Sequence, residues 1–244
     1  MKRYFFLILI LMLTACQVIE TIYIQPDGSG TIEIVEHRDE NSYMQLTGEH
    51  YGKETIFKDT TYIFKDYINK YNANFIRYTK SEQELFSAYE NTKVHIKKSA
   101  FEKEFRTTIS QTFKKIETVP DLYKTKNYAD DIKFNYALTA EEHYYKVSYT
   151  FDGSLFKRSV KITDAILLKK EFDEIEDLKK RFSKFQLVQI YVLNYNFPRK
   201  IKSVSKANAK ISEDRKSLKL EFLLTDCLQN PEITSLEVVL DDDL

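Results

Sequence analysis

The residue types that perform acid, base or nucleophilic chemistry are thinly spread along this chain. Its histidines are His37, His50, His95 and His143. No two stand at the i, i+4 spacing that puts both on one face of a helical zinc site, and no Cys-x-x-Cys occurs. His95 and His143 fall in strand-like runs and read as the polar face of a sheet. No Gly-x-Ser-x-Gly is present, and Ser154 follows Asp152-Gly153 in a turn without a recognisable base. Glu171, Asp173, Glu174, Glu176 and Asp177 are interleaved with Lys169, Lys170, Lys179 and Lys180. Ion pairs along a solvated helix face account for that pattern. The sequence therefore assigns no catalytic residue, no metal site and no cofactor. Cys16 is the exception in reactivity. It sits where an apolar run turns polar, and a thiolate is a readily alkylated nucleophile.

Lys2 and Arg3 precede an apolar run from Tyr4 to Leu13. A bilayer span needs about 20 apolar residues, so this run is too short to cross. The arrangement is that of a secretory signal peptide over residues 1–15, with its positive end kept on the cytoplasmic side. Leu13-Thr14-Ala15-Cys16 resembles the lipobox of bacterial lipoproteins: an aliphatic residue, two small residues and a cysteine. The resemblance implies that the Cys16 thiol receives a diacylglycerol and that a signal peptidase cuts before it, freeing an amine for acylation. One acyl chain binds a membrane only marginally, at about 0.8 kcal/mol per buried CH₂, so the two or three chains of a lipoprotein make the anchor stable. The expected partners are a membrane, held through these chains, and an envelope protein. Gln17 stands where an Asp would mark inner-membrane retention, and the segment after it lacks an acidic cluster. Both features favour the outer membrane and its periplasmic face. Residues 16–20 are expected to form a lipidated tether, in which the four residues after Cys16 reach roughly 14 Å.

The elements that must position any site lie in residues 21–244, expected as a single α+β domain, mainly antiparallel sheet with several helices, with a possible subdivision near 127–141. The 244 residues carry 37 basic and 37 acidic side chains. That balance argues against a nucleic-acid partner, which would require a basic face. With Cys16 lipidated, Cys227 has no disulfide partner and reads as a small packing residue. The core must then come from the 43% of residues that are apolar, including 17 Tyr and 17 Phe. Most of these rings are expected inside, and the remainder would suit a stacking platform for carbohydrate or peptide. Five glycines and four prolines leave few breaks, so the elements should be long and the loops short.

"TIYIQPDGSGTIEIVE" (21–36) reads as a hairpin, with alternating Ile22, Ile24, Ile32 and Ile34 around a turn built on Asp27, Gly28 and Gly30, the glycines supplying positive φ. Thr60–Tyr71 carries a helical stripe, and Ser81 with Glu84 forms a capping box. Residues 93–113 return to strand, and 142–162 repeat the hairpin grammar. Thr163-Asp164 caps the strongest helix, with Ile166, Leu167, Phe172, Ile175, Leu178 and Phe182 as its apolar stripe. "FQLVQIYVLNYNF", "SLKLEFLL" and "SLEVVL" read as strands, and Asp241–Asp243 as a solvated end.

The early hairpin beside the cysteine, together with "YNFPRKIKSVSKANAKISEDRKSLKLEF", resembles envelope lipoproteins of the Bacteroidetes type and the β-rich ectodomain of mycobacterial LppM-type lipoproteins. The resemblance implies a β-containing envelope domain and brings no active-site residues with it. The functional expectation is a membrane-anchored binding or assembly component. The alternatives are a carrier or chaperone for an apolar ligand, and an enzyme whose groups converge from distant sequence.

Overall fold

The computed structural model describes residues 16–181, 183–184 and 189–241. The chain is α+β and mainly sheet. The first hairpin joins β1 (Cys16–Ile24) to β2 (Gly30–Arg38), in a register running from Cys16↔Arg38 to Ile24↔Gly30. Alternation drives it: Ile22, Ile24, Ile32 and Ile34 are buried while Tyr23, Thr31 and Glu33 face out. At the turn the Asp27 carboxylate accepts from the Ser29 N–H at 3.0 Å and from its hydroxyl at 2.6 Å. Gly28 has φ +80°, as the turn chemistry requires. Gly30 is needed for a different reason from the one expected. A Cβ there would lie 2.0 Å from the Tyr23 carbonyl oxygen, so close approach fixes it, and its φ is not positive.

The strands β3 (Phe57–Ile63), β4 (Lys93–Ser99), β5 (Glu104–Phe113), β8 (Ile190–Asn196), β10 (Lys210–Ile211) and β11 (Ser217–Leu223) extend this hairpin. The resulting eight-stranded sheet has the order β10-β11-β8-β1-β2-β5-β4-β3. Its strand pairs are antiparallel except for β1 with β8, which is parallel from Val18↔Tyr191 to Tyr23↔Asn196. A second sheet, β6-β7-β12-β9, is made from β6 (Tyr145–Phe151), β7 (Leu155–Ile162), β9 (Ile201–Val204) and β12 (Leu236–Leu240). The inner faces share one core: Phe156 of β7 meets Tyr195 of β8 edge-on, with ring centroids 5.2 Å apart.

A second apolar cluster is helical. It joins Phe64 and Ile68 of α2 (Phe64–Lys70), Phe86 of α4 (Lys80–Ser87), Tyr89, and Tyr128, Ala129 and Ile132 of α5 (Thr125–Phe134). Two short helices, α1 (Glu40–Thr47) and α3 (Asn72–Phe75), complete this half of the chain. Residues 127–134, the first part of the stretch considered for a subdivision, thus belong to a helix with a buried face.

Several expectations shift. Thr60–Ile63 are strand rather than helix, because they pair with β4 from Thr60↔Ile96 to Ile63↔Lys93. The capping box forms two residues earlier, with Thr79 as N-cap and Glu82 as its partner. In α6 (Ala165–Arg181) Asp164 caps as expected, accepting from the N–H groups of Ile166 and Leu167 at 2.8 and 2.9 Å. Among the described residues of the expected stripe only Ile175 is buried, and Ile166 is 83% exposed. Helix α6 rests on α7 (Leu224–Gln229) through one narrow seam, so a full stripe has nothing to cover it. Phe182, Phe185–Val188 and Asp242–Asp243 lie outside the described residues. Among the described residues no helix is long and apolar enough to cross a membrane.

Candidate functional site

Leu13, Thr14 and Ala15 lie outside the described residues, and Cys16 opens β1. Residues 16–20 were expected as a tether, and they are strand. Main-chain pairing explains the difference: β2 lies along one side of β1 from Cys16, and β8 along the other from Val18. Val18 also packs against the core, and Glu20 is buried.

Glu20 is the centre of the most elaborate polar cluster. Its parity on β1 is that of Ile22 and Ile24, so its carboxylate enters the space between the sheets. Arg158 reaches it from β7, whose inward residues are Phe156, Arg158 and Val160. The Arg158 Nη2 and Nε atoms lie 3.1 Å from Glu20 Oε2 and Oε1 respectively. Three tyrosine hydroxyls donate to the same carboxylate: Tyr195 at 2.5 Å, Tyr123 at 2.6 Å and Tyr191 at 3.1 Å. Arg158 donates its remaining N–H groups to the Thr234 hydroxyl at 2.7 Å, the Thr234 carbonyl at 3.2 Å and the Tyr191 hydroxyl at 2.7 Å. The side chains of Glu20 and Arg158 are 0% and 2% exposed. Burial pushes the Glu20 carboxyl up, but the Arg158 charge and the donated hydrogen bonds outweigh it and hold the group below the usual range. The three tyrosines are raised far above their ordinary values by burial and by the Glu20 charge, so they act as neutral donors. A fully paired, sealed ion pair of this kind holds β1 to β7; it presents no group to a substrate.

A second arginine cluster sits where β1 begins. Arg38, the partner of Cys16 in register, is stacked between Tyr43 and Phe105, with its guanidinium carbon 3.7 and 3.4 Å from the ring centroids. Glu54 accepts from both of its Nη atoms at 3.0 and 3.1 Å, and Glu40 accepts from Nε at 2.6 Å. The hydroxyl of Tyr43 donates to Glu54 at 2.6 Å, and that of Tyr51 to Glu40 at 3.1 Å. This clamp ties β2, α1 and the loop leading to β3 together.

The remaining candidates separate. His95 bonds Asp59 at 2.9 Å on the surface, and His143 is half-buried, with its buried Nδ1 lacking a hydrogen-bond partner. Burial, aided by the Lys124 charge, pushes His143 down to about 4, while burial raises Asp121 to about 6. Most α6 carboxylates face solvent or pair with lysines, as at Lys179–Glu176 (3.4 Å) and Lys180–Asp177 (3.9 Å), while Glu171 is half-buried and burial pushes its carboxyl up. Cys227 is buried and free in α7, and burial pushes its thiol up to about 12, as suits a packing residue. Among the described residues no group of three or more metal-ligating side chains could hold an ion. An open hollow of about 470 Å³ lies on the outer face of the larger sheet, lined among others by Thr21, Tyr23, Asn194, Asn196, Lys210 and Lys219.

Sequence reasoning passed over the Glu20–Arg158 cluster although a signal was present. In "ETIYI" and "LFKRSVKI" a charged residue occupies the parity of buried apolar neighbours.

No protein-family model matches the chain, and no curated protein matches it; these comparisons indicate no enzymatic family. Among solved structures the chain is similar to the NMR structure of the folded domain of the Mycobacterium tuberculosis LppM protein. The TM-score is 0.40 and the identity 10%, over 93% of this chain and 92% of that one.

Proposed function

We propose that this chain is a lipid-anchored protein of the bacterial cell envelope that acts by binding, as a partner-recognition or assembly component rather than as an enzyme. The observation that carries this reading is the lipobox-like Leu13-Thr14-Ala15-Cys16, which runs without a linker into a paired strand of the domain. Acylation of Cys16 would attach lipid to the first residue of β1, the strand that Glu20 holds in the core. The Bacteroidetes-type resemblance rests on the early hairpin and the segment from Tyr195 to Phe222, the outer membrane on Gln17, and the periplasmic face on the absence of an acidic cluster after it; all three belong to the same reading. The polar outer face of the larger sheet offers the amides of Asn194 and Asn196 beside the exposed Tyr23 ring, groups suited to a polar envelope ligand.

Palmitate labelling of growing cells tests the anchor. The wild type should take up label, and Cys16→Ala should take up none and remain unprocessed or soluble. An unlabelled wild type defeats the reading. Protease shaving of intact cells tests the face: a domain removed by external protease would reverse the periplasmic assignment alone.

A further inference from the structure

The register of the larger sheet gathers a particular set of side chains around Cys16. Cys16 pairs with Arg38, and His37 pairs with Arg106 of β5. Arg106 pairs with Lys97 of β4, whose end Ser99 pairs with Phe57, the first residue of β3. The beginning of β1, the end of β2, the beginning of β5, the end of β4 and the beginning of β3 therefore share one end of the sheet. With strands ~4.8 Å apart, β5 lies only about 10 Å from β1. The β4–β5 connection, residues 100–103, projects beyond this row.

The apolar side chains at this end are uncovered. Phe101, at the tip of that connection, is 95% exposed, and Phe57 is 71% exposed. Ile56, next to Phe57, is also exposed. The tip is built firmly, since the Ala100 N–H donates to the Ile56 carbonyl at 2.9 Å and the Glu102 N–H to the Ser99 hydroxyl at 3.0 Å. The Lys103 ammonium lies 4.7 Å from the centre of the Tyr51 ring. Charges around the tip pair with each other: Lys97 with Asp59 and Glu102, at 3.4 and 2.7 Å, and Arg106 with Glu104 at 3.0 Å.

We infer that this end of the sheet is a bilayer-contact surface, with Phe101 and Phe57 entering the lipid that holds the acyl chains of Cys16. The inference rests on the proposed lipidation of Cys16. Because β1 is paired from Cys16 onward, an acylated Cys16 cannot hold the domain on a slack leash, and the lipid surface must lie at the end of the sheet where β1 starts. A fully exposed phenylalanine on a braced tip is costly in water and stable in the headgroup–acyl boundary. Because Lys97 and Arg106 are already engaged by carboxylates, apolar insertion carries the contact, and zwitterionic lipid tests that insertion by itself.

The chain contains no tryptophan, so a single introduced indole is an unambiguous reporter. Lipidated protein carrying Phe101→Trp, purified from labelled cells, is reconstituted into phosphatidylcholine vesicles with brominated acyl chains. Tyr23→Trp, on the same strand as Cys16 but about 23 Å along it, serves as the control. Contact predicts blue-shifted, bromine-quenched emission for Phe101→Trp and water-like, unquenched emission for Tyr23→Trp. Palmitate-labelled protein in which the Phe101→Trp indole stays water-like overturns the contact and leaves the anchor standing. Quenching at Tyr23→Trp instead overturns the end-on orientation. Absence of palmitate label overturns the anchor, and the contact with it.

Discussion

Arg158 and Arg38 are built from the same parts, a guanidinium, glutamates and tyrosine hydroxyls, yet they stand in different surroundings. The two arginine side chains are almost equally covered, at 2% and 6% exposure. Their carboxylate partners differ. Glu20 is sealed between two sheets, whereas Glu54 and Glu40 keep one side in water. The energetic meaning of an ion pair follows the worse-solvated partner. If Arg158 is removed, water cannot reach Glu20. If Arg38 is removed, water solvates Glu54 at once. The first pair holds two sheets in register, and the second stiffens a surface.

The largest effect should come from unpairing the sealed cluster. Arg158→Met leaves a buried carboxylate without its counter-charge and should cost about 3–5 kcal/mol. Joining Glu20→Leu to Arg158→Met should restore only part of that loss, because the hydroxyls of Tyr123, Tyr191 and Tyr195 then lose their acceptor, at about 1–3 kcal/mol for a hydroxyl left unsatisfied. Urea midpoints measure both. A midpoint for Arg158→Met equal to that of the wild type would show that the pair does not hold the sheets.

Two further groups, one buried and one half-buried, separate burial from pairing by their response to pH. Asp121 accepts from the backbone N–H groups of Val147 and Tyr123 at 3.0 and 3.2 Å, yet burial dominates and lifts it from 3.8 to about 6. Between those values the folded state binds more protons than the unfolded one, so stability from this group rises as pH falls through 6 toward 3.8. His143 is depressed from 6.5 to about 4, again chiefly by burial. In that window the unfolded state binds the extra proton, so stability from His143 is lost as pH falls below 6.5. Each shift corresponds to about 3 kcal/mol at ~1.4 kcal/mol per unit, with opposite signs. Wild-type stability should therefore change little between pH 6.5 and 4 on account of these two groups. Relative to wild type, Asp121→Asn should lose stability over that range, and His143→Phe should gain it. Parallel pH profiles for the three proteins would refute the assignment.

What could be read in advance from the chain follows the range of the interactions. The Ile22, Ile24, Ile32, Ile34 alternation and the Pro26–Gly30 turn are local, and the hairpin forms as read. The Asp164 cap is local too, and it caps α6. Thr60–Ile63 carries a helical period, but pairing with a strand over 30 residues away overrides it. The α6 stripe is a valid amphipathic pattern with too little surface opposite to bury it. The parallel β1–β8 pair joins segments about 170 residues apart, which no local period encodes. The candidate site divides in the same way. Cys16 is legible as a motif, whereas the Glu20–Arg158 pair is visible only as two charges on apolar parity, and their meeting depends on how the sheets stack.

The smallest predicted effect sharpens the comparison from its wet side. Arg38→Met keeps much of the aliphatic packing against Tyr43 and Phe105 and removes the cation over the rings along with the forked contact to Glu54. A cation–π contact is worth about 0.5–1 kcal/mol when exposed and about 2 when desolvated, and an exposed ion pair about 0–1 kcal/mol; with the arginine covered and its carboxylates part-solvated, the loss should be about 1–3 kcal/mol. Burial raises the Glu54 carboxyl, but the hydrogen bonds from Arg38 and Tyr43 outweigh it and leave it below 4.5. The stabilisation from this group is therefore present above pH 4.5 and is lost as pH falls through its folded value. Arg38→Met should flatten that acid limb, and moderate salt should weaken the wild-type clamp while leaving the Glu20–Arg158 pair almost unaffected. The damage should also be local. Amide exchange should quicken in α1 and in the loop carrying Glu54, and stay unchanged in β7 and β8. A global loss as large as that of Arg158→Met would mean that the two clusters are energetically one, and that the solvent side of Glu54 contributes nothing to the difference between them.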